Sequence, residues 1–131
     1  MKKDDHKMKN DNFFEAWGNA TNGIIYSATT QRNIRIQLVL AVIVMVLSLF
    51  YGLNTAEFLC LLFAVFLVIF AELINTAIET VVDLFVDVYH PKAKISKDVA
   101  AGAVVLAACN ALVLIEGLAA QKNNQAGSAA Q

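Results

Sequence analysis

The sequence predicts an all-α integral membrane protein, with three transmembrane helices preceded by an amphipathic surface helix, and three observations predict it. Apolar residues make up 58% of the chain and charged residues only 16%, where an ordinary soluble domain carries about 25% charged. The charges are segregated: between Gln37 and Ala71 the only one is Glu57, and between Val99 and Gln121 the only one is Glu116. The apolar material therefore falls in blocks, each approaching the roughly 20 residues that a bilayer-crossing helix needs at about 1.5 Å per residue.

Residues 1–12, with Lys2, Lys3, Lys7 and Lys9, read as a disordered polar tail. No cleavable apolar segment follows it directly, so a secretory signal peptide is not expected. From Phe13 the apolar residues fall at helical spacing (Phe13, Phe14, Trp17, Ala20, Ile24, Ile25, Ala28), with Asn12, Glu15, Asn19 and Asn22 opposite. A helix of that kind, with aromatics on its apolar face, is suited to lie along the membrane surface.

Three spans are expected at about 34–53, at 56–71 with its helix continuing beyond, and at 99–118. The link Tyr51 to Thr55 is short, which makes the first two spans an antiparallel pair. Residues 119–131, rich in Gln, Asn, Ala and Ser, read as a second disordered tail. Cys60 and Cys109 lie inside apolar runs and read as small hydrophobic packers. A net charge of −1 gives no basic surface for nucleic acid.

Orientation follows from the basic residues. They gather on the N-terminal side (including Arg32 and Arg35) and between the second and third spans (Lys92, Lys94, Lys97), while the first link has none. The positive-inside rule then places the N-terminus and the Asp83 to Asp98 region in the cytoplasm.

The apolar run FLCLLFAVFLVIF is followed at once by AELINTAIETVVD, which introduces three carboxylates and an asparagine. At about 100° per residue, Glu72, Asn75, Glu79 and Asp83 fall within an arc of about 80°. They form one polar stripe that begins where the hydrocarbon ends. Acids at a helix end can be simply solvated, and Asp83 and Asp87 fit that description in part. Glu72 and Asn75 do not, because an ionisable group within the bilayer costs roughly 3 kcal/mol or more unless it faces protein or water.

After the stripe comes VYHPKAKISKD, Val88 to Asp98. His90 before Pro91 predicts a bend, and three lysines then share the membrane side of the carboxylates. Carboxylates to hold Mg²⁺, one carboxylate to take a hydroxyl proton, and cations to neutralise phosphate oxygens are the parts that phosphoryl transfer needs. No G-x-x-x-x-G-K-[ST] loop and no glycine-rich kinase loop is present. No His, Cys or Ser constellation suggests a metal hydrolase or acyl transferase.

ELINTAIETVVD (Glu72 to Asp83) together with YHPKAKISKDVAAGAV (Tyr89 to Val105) resembles the prokaryotic diacylglycerol kinase family, and looks closest to its Gram-positive undecaprenol kinases. The likeness covers about 13–118. It implies a membrane-embedded homotrimer in the bacterial cell membrane, using ATP and Mg²⁺ to phosphorylate a lipid alcohol, undecaprenol ahead of diacylglycerol. By motif position it implies Glu72 as the catalytic base and Glu79 as a Mg²⁺ ligand, with Asn75 and Asp83 supporting the polar face. Asn19, Gln31, Glu79, Tyr89, His90, Lys97 and Asp98 match nucleotide-contacting positions. One departure stands out in TTQRNIRIQL: the family usually has a second metal-binding glutamate where this chain has Gln31. An amide oxygen can coordinate Mg²⁺ but brings no negative charge.

Two other functional classes compete with a lipid kinase. A catalytically weak relative that binds lipid or a membrane partner is motivated by Gln31 alone. A small transporter is disfavoured, because transporter sites lie near the bilayer midplane and these acids sit at one edge. A trimer also has a physical rationale: three thin spans cannot enclose Glu72, Asn75 and mid-span Asn110, and polar groups at membrane depth need partners. Glu116, near the far end, reads as interfacial.

Overall fold

Among the described residues, Gln31 alone separates the first two of four helices. The computed structural model describes residues 13–129, arranged as α1 (Phe13–Thr30), α2 (Arg32–Phe50), α3 (Thr55–Phe85) and α4 (Pro91–Ala129). The amino-terminal tail expected over 1–12 lies outside the described residues. Gln31 is extended (φ −96°, ψ 122°), although its N–H still donates to the Ser27 carbonyl at 2.9 Å. Ser27 and Ile34, on either side of the break, are both buried, so the bend is held by packing.

Helices α2, α3 and α4 are each long and apolar enough to cross a membrane. The first expected span extends to residue 53, but the helix ends at Phe50. The cause is Gly52, which takes a left-handed φ of 58°, a conformation that glycine adopts without steric cost. Asn54 then starts α3 through a capping box: its Oδ1 accepts the Glu57 N–H at 3.0 Å, and Glu57 Oε2 accepts the Asn54 N–H at 2.8 Å.

Helix α3 runs unbroken for 31 residues, about 46 Å at 1.5 Å per residue, against a hydrocarbon thickness of about 30 Å. It therefore continues past the apolar run and carries the whole acidic stripe on one rigid rod. The connector 86–90 ends at His90, and Pro91 is the first residue of α4, where its fixed φ and missing N–H fit best. Lys92, Lys94 and Lys97 accordingly stand in the first turns of α4, ahead of the span expected from residue 99.

The carboxyl-terminal segment departs further from expectation. Instead of a disordered tail over 119–131, α4 continues to Ala129. Alanine is the strongest helix former, and two residues of the extension are tethered to the start of α3. Lys122 Nζ lies 3.0 Å from Glu57 Oε2, and Gln121 Nε2 donates to Glu57 Oε1 at 3.0 Å.

Helix α4 packs mainly along α3, α2 packs against α3, and α1 lies against α2 with a lighter contact to α3. Buried Ala64, Ala100 and Ala107 let helix backbones approach closely. Helices α2 and α4 do not approach each other, and the space between them is an apolar cleft floored by α3. Large side chains such as Phe63, Leu106 and Val113 face outward, an arrangement suited to lipid or a neighbouring chain and not to water. Asn110 and Glu116 are also exposed on α4.

Candidate active site at the end of the apolar cleft

The stripe read from helical spacing is a physical face. Glu72 and Asn75 are 3% and 5% exposed, and Thr76 beside them is 3% exposed. Burial of a carboxylate at this depth demands a partner, and α2 supplies it: Gln37 Nε2 donates to Glu72 Oε2 at 3.0 Å. One turn along α3, Asn75 Nδ2 donates to Glu79 Oε1 at 3.3 Å. Glu79 is half-buried, so the face opens outward from Glu72 along the helix.

Three buried side-chain atoms in this region have no hydrogen-bond partner: Gln37 Oε1, Asn75 Oδ1 and Thr76 Oγ1. Buried polar atoms are nearly always satisfied in a finished structure. All three lie on the α2 and α3 segments that carry Gln37, Glu72 and Glu79. Gln37 also lines the apolar cleft between α2 and α4, with Leu40, Val44, Val68 and Leu112 among its walls. The buried carboxylate is therefore bonded to a residue that lines a hydrocarbon cleft.

Beyond Glu79, Lys97 Nζ lies 2.9 Å from Asp83 Oδ1, joining the end of α3 to the start of α4. The hydrogen bond that Lys97 donates to Asp83 holds the ammonium above its ordinary pKa range, against an opposing effect of burial. Lys94 and Asp98 form an ion pair at 2.6 Å within α4. His90 Nδ1 accepts the Lys92 N–H at 3.2 Å, so its ring helps to begin α4.

The structure thus brings Glu72, Asn75 and Glu79 onto one face and joins Asp83 to Lys97. It leaves Tyr89 and His90 exposed on the connector and turns Asp98 toward Lys94. Asn19 is exposed on α1, and Gln31 is half-buried at the α1–α2 break, where its side chain makes no cap hydrogen bond. Gln37 and Thr76 were not singled out from sequence. The signal for Gln37 was available, as a lone amide near the start of an apolar span; that it faces Glu72 was not.

Among the described residues no group of three or more His, Cys, Asp or Glu side chains could hold a metal by itself. Glu79 and the Asn75 amide oxygen, one turn apart on α3, are hard oxygen donors of the kind that hold a hard divalent cation together with substrate phosphates and water, without a dedicated protein cage.

Comparison with known proteins follows the same motifs. The family model described as prokaryotic diacylglycerol kinase matches residues 18–118. An undecaprenol kinase of Bacillus subtilis is 36% identical over 104 residues, covering 79% of this chain and 85% of that protein. A diacylglycerol kinase of Synechocystis is 43% identical over 103 residues, covering 78% of this chain and 57% of that longer protein. The matched region takes in all of α2 and α3, the buried acidic face and the apolar part of α4, and the chain belongs to the prokaryotic diacylglycerol kinase family.

Proposed function

We propose that this chain is an ATP-dependent membrane lipid kinase that transfers the γ-phosphoryl group to the hydroxyl of a lipid alcohol, undecaprenol ahead of diacylglycerol. The observation that carries the proposal is buried Glu72, on the same helix face as Glu79 and bonded to Gln37, which lines a hydrocarbon cleft. A lipid alcohol has the matching form, an apolar chain ending in one hydroxyl. The order of substrates is supported by the match along most of the undecaprenol kinase's length.

In this reading Glu72 accepts the hydroxyl proton as the lipid oxygen attacks the γ-phosphorus. Glu79, with Asn75 behind it, binds Mg²⁺ together with the phosphates, and Gln31 contributes an amide oxygen. Mg²⁺, when bound, neutralises charge on the phosphate oxygens. Glu79 lies about 10 Å along the helix from Glu72, a spacing that lets the lipid meet one end of the face and the nucleotide the other. Lys97 offers a cation on the nucleotide side, and Asn19, Tyr89, His90 and Asp98 complete the nucleotide contacts. The active side faces the cytoplasm, as the lysine distribution supports, with α1 lying along that membrane surface.

The working form is a homotrimer. Asn110 is exposed halfway along the third span, where a bare amide facing lipid is unfavourable. A second copy would cover it. A lipid-binding member without turnover rests on Gln31 alone and is not favoured, because the two relatives compared are both named as kinases.

The test offers undecaprenol and diacylglycerol side by side to the purified protein in mixed micelles with ATP and Mg²⁺. Transfer to lipid is expected from the native chain, and Glu72→Gln is expected to abolish it while leaving the assembled protein intact. Undiminished transfer by Glu72→Gln would remove Glu72 from the reaction.

A further inference from the structure

Gln37 stands apart from every other polar residue of the spans, because it touches the buried carboxylate directly and yet keeps one polar atom unused. Its Nε2 donates to Glu72 Oε2 at 3.0 Å, while its Oε1 is buried without a partner. An ionised carboxylate only accepts hydrogen bonds, so the amide must turn its N–H toward Glu72. The other end of the amide is then left without a donor beside it.

We infer that Gln37 is the positioning residue for Glu72 throughout proton transfer, a donor to the carboxylate beforehand and an acceptor for the protonated acid afterwards. This rests on the reading of Glu72 as the base of a lipid kinase. In the reaction, the lipid O–H proton moves to a Glu72 oxygen. The lipid oxygen bonds to the γ-phosphorus, and the bond from that phosphorus to the bridging oxygen breaks, its electron pair leaving on ADP. Glu72 then carries a proton in a site with little water. Half a turn of the amide about its last side-chain bond presents Oε1 to that proton.

An amide is suited to both states because it carries a donor and an acceptor on one planar group. A methionine at position 37 offers neither, and a glutamate has lost the donor. The surroundings leave this task to Gln37. On α2, Arg32 and Arg35 line a different cleft with Ile36 and Val39. On α3, the next acid on the face, Glu79, is bonded to Asn75. On α4, Lys97 is bonded to Asp83 and Lys94 to Asp98. Helix α1 carries one charged residue, Glu15, in its first turn.

The test compares native protein, Glu72→Gln, Gln37→Met and the isosteric Gln37→Glu, all in assembled form, by steady-state kinetics with lipid and ATP varied separately. Both Gln37 variants are expected to lower kcat by about tenfold to a hundredfold, the usual effect of losing a hydrogen bond to a charged group. The KM values for ATP and lipid should stay within about twofold, since neither substrate is gripped by Gln37 in the ground state. An unchanged kcat, or a loss confined to a raised lipid KM, would make Gln37 a wall of the cleft and overturn the inference. Absence of transfer by the native protein would instead bring down the kinase reading, and this inference with it.

Discussion

Lys97 and Asp83 lie fourteen residues apart in sequence and meet at 2.9 Å, closing the gap between the last turns of α3 and the second turn of α4. The contact is exposed, so it adds little to stability; its effect is to hold an ammonium beside the acidic face. Lys97→Met is expected to raise the ATP KM by about tenfold and to leave the lipid KM unchanged. Separate titrations of the two substrates check this.

The pH dependence of that contact has a definite sign. Asp83 raises the pKa of Lys97 above its ordinary value of 10.5. A raised pKa on a cation means that the contact is fully present below the ordinary value and is lost only as pH climbs through the raised one. From about pH 6 to pH 9 the Lys97 charge is therefore constant. ATP KM measured across that range should show no trend that disappears in Lys97→Met.

Gln31 gives a prediction about the metal. Gln31→Glu adds a negative charge at the α1–α2 break without changing side-chain size. It should lower the Mg²⁺ concentration for half-maximal activity by about tenfold, because cation affinity is tuned by ligand charge. Glu79→Gln should move the requirement in the opposite direction by at least as much. Mg²⁺ titrations of the three proteins at saturating ATP decide both.

Asn110 predicts how the chain assembles. Replacing it with leucine removes a polar group from the middle of a span and, in the proposed homotrimer, one interhelical hydrogen bond per subunit worth roughly 1 kcal/mol. Asn110→Leu should then dissociate in detergent at about a tenfold higher protein concentration than the native assembly. Analytical ultracentrifugation over a dilution series measures this, and an equally tenacious assembly would place Asn110 away from the subunit interface.

The cap at the far end of the bundle is separable from catalysis. Asn54→Ala removes the side-chain half of the capping box that starts α3 and should cost about 1 kcal/mol of stability. Thermal unfolding should register the loss while kcat stays within about twofold, since Asn54 lies about 27 Å along α3 from Glu72.

Much of this arrangement is legible in the sequence, for identifiable reasons. The apolar blocks mark the spans, and the spacing of Glu72, Asn75, Glu79 and Asp83 is helical, so their common face follows from geometry within one element. The unread parts depend on partners far apart in the chain. Gln37 meets Glu72 across 35 residues, and Gln121 meets Glu57 across 64. Nothing local distinguishes a buried amide from a solvated one, or an Ala- and Gln-rich helix from an Ala- and Gln-rich tail. The lysines after Pro91 stand on a helix for a different reason: the proline marks a boundary, and it can begin a helix as readily as it bends one.

The unbroken course of α3 through the membrane edge makes the chain intolerant of a change that most surface segments accept. A single residue inserted between Asn75 and Glu79 would turn everything beyond it by about 100° and advance it by about 1.5 Å, carrying Glu79 and Asp83 off the face that Glu72 occupies. The connector 86–90 has no such phase to keep. Length variation within this fold is therefore expected in the connectors and at the chain ends, while the seven-residue interval from Glu72 to Glu79 acts as a reading frame of its own.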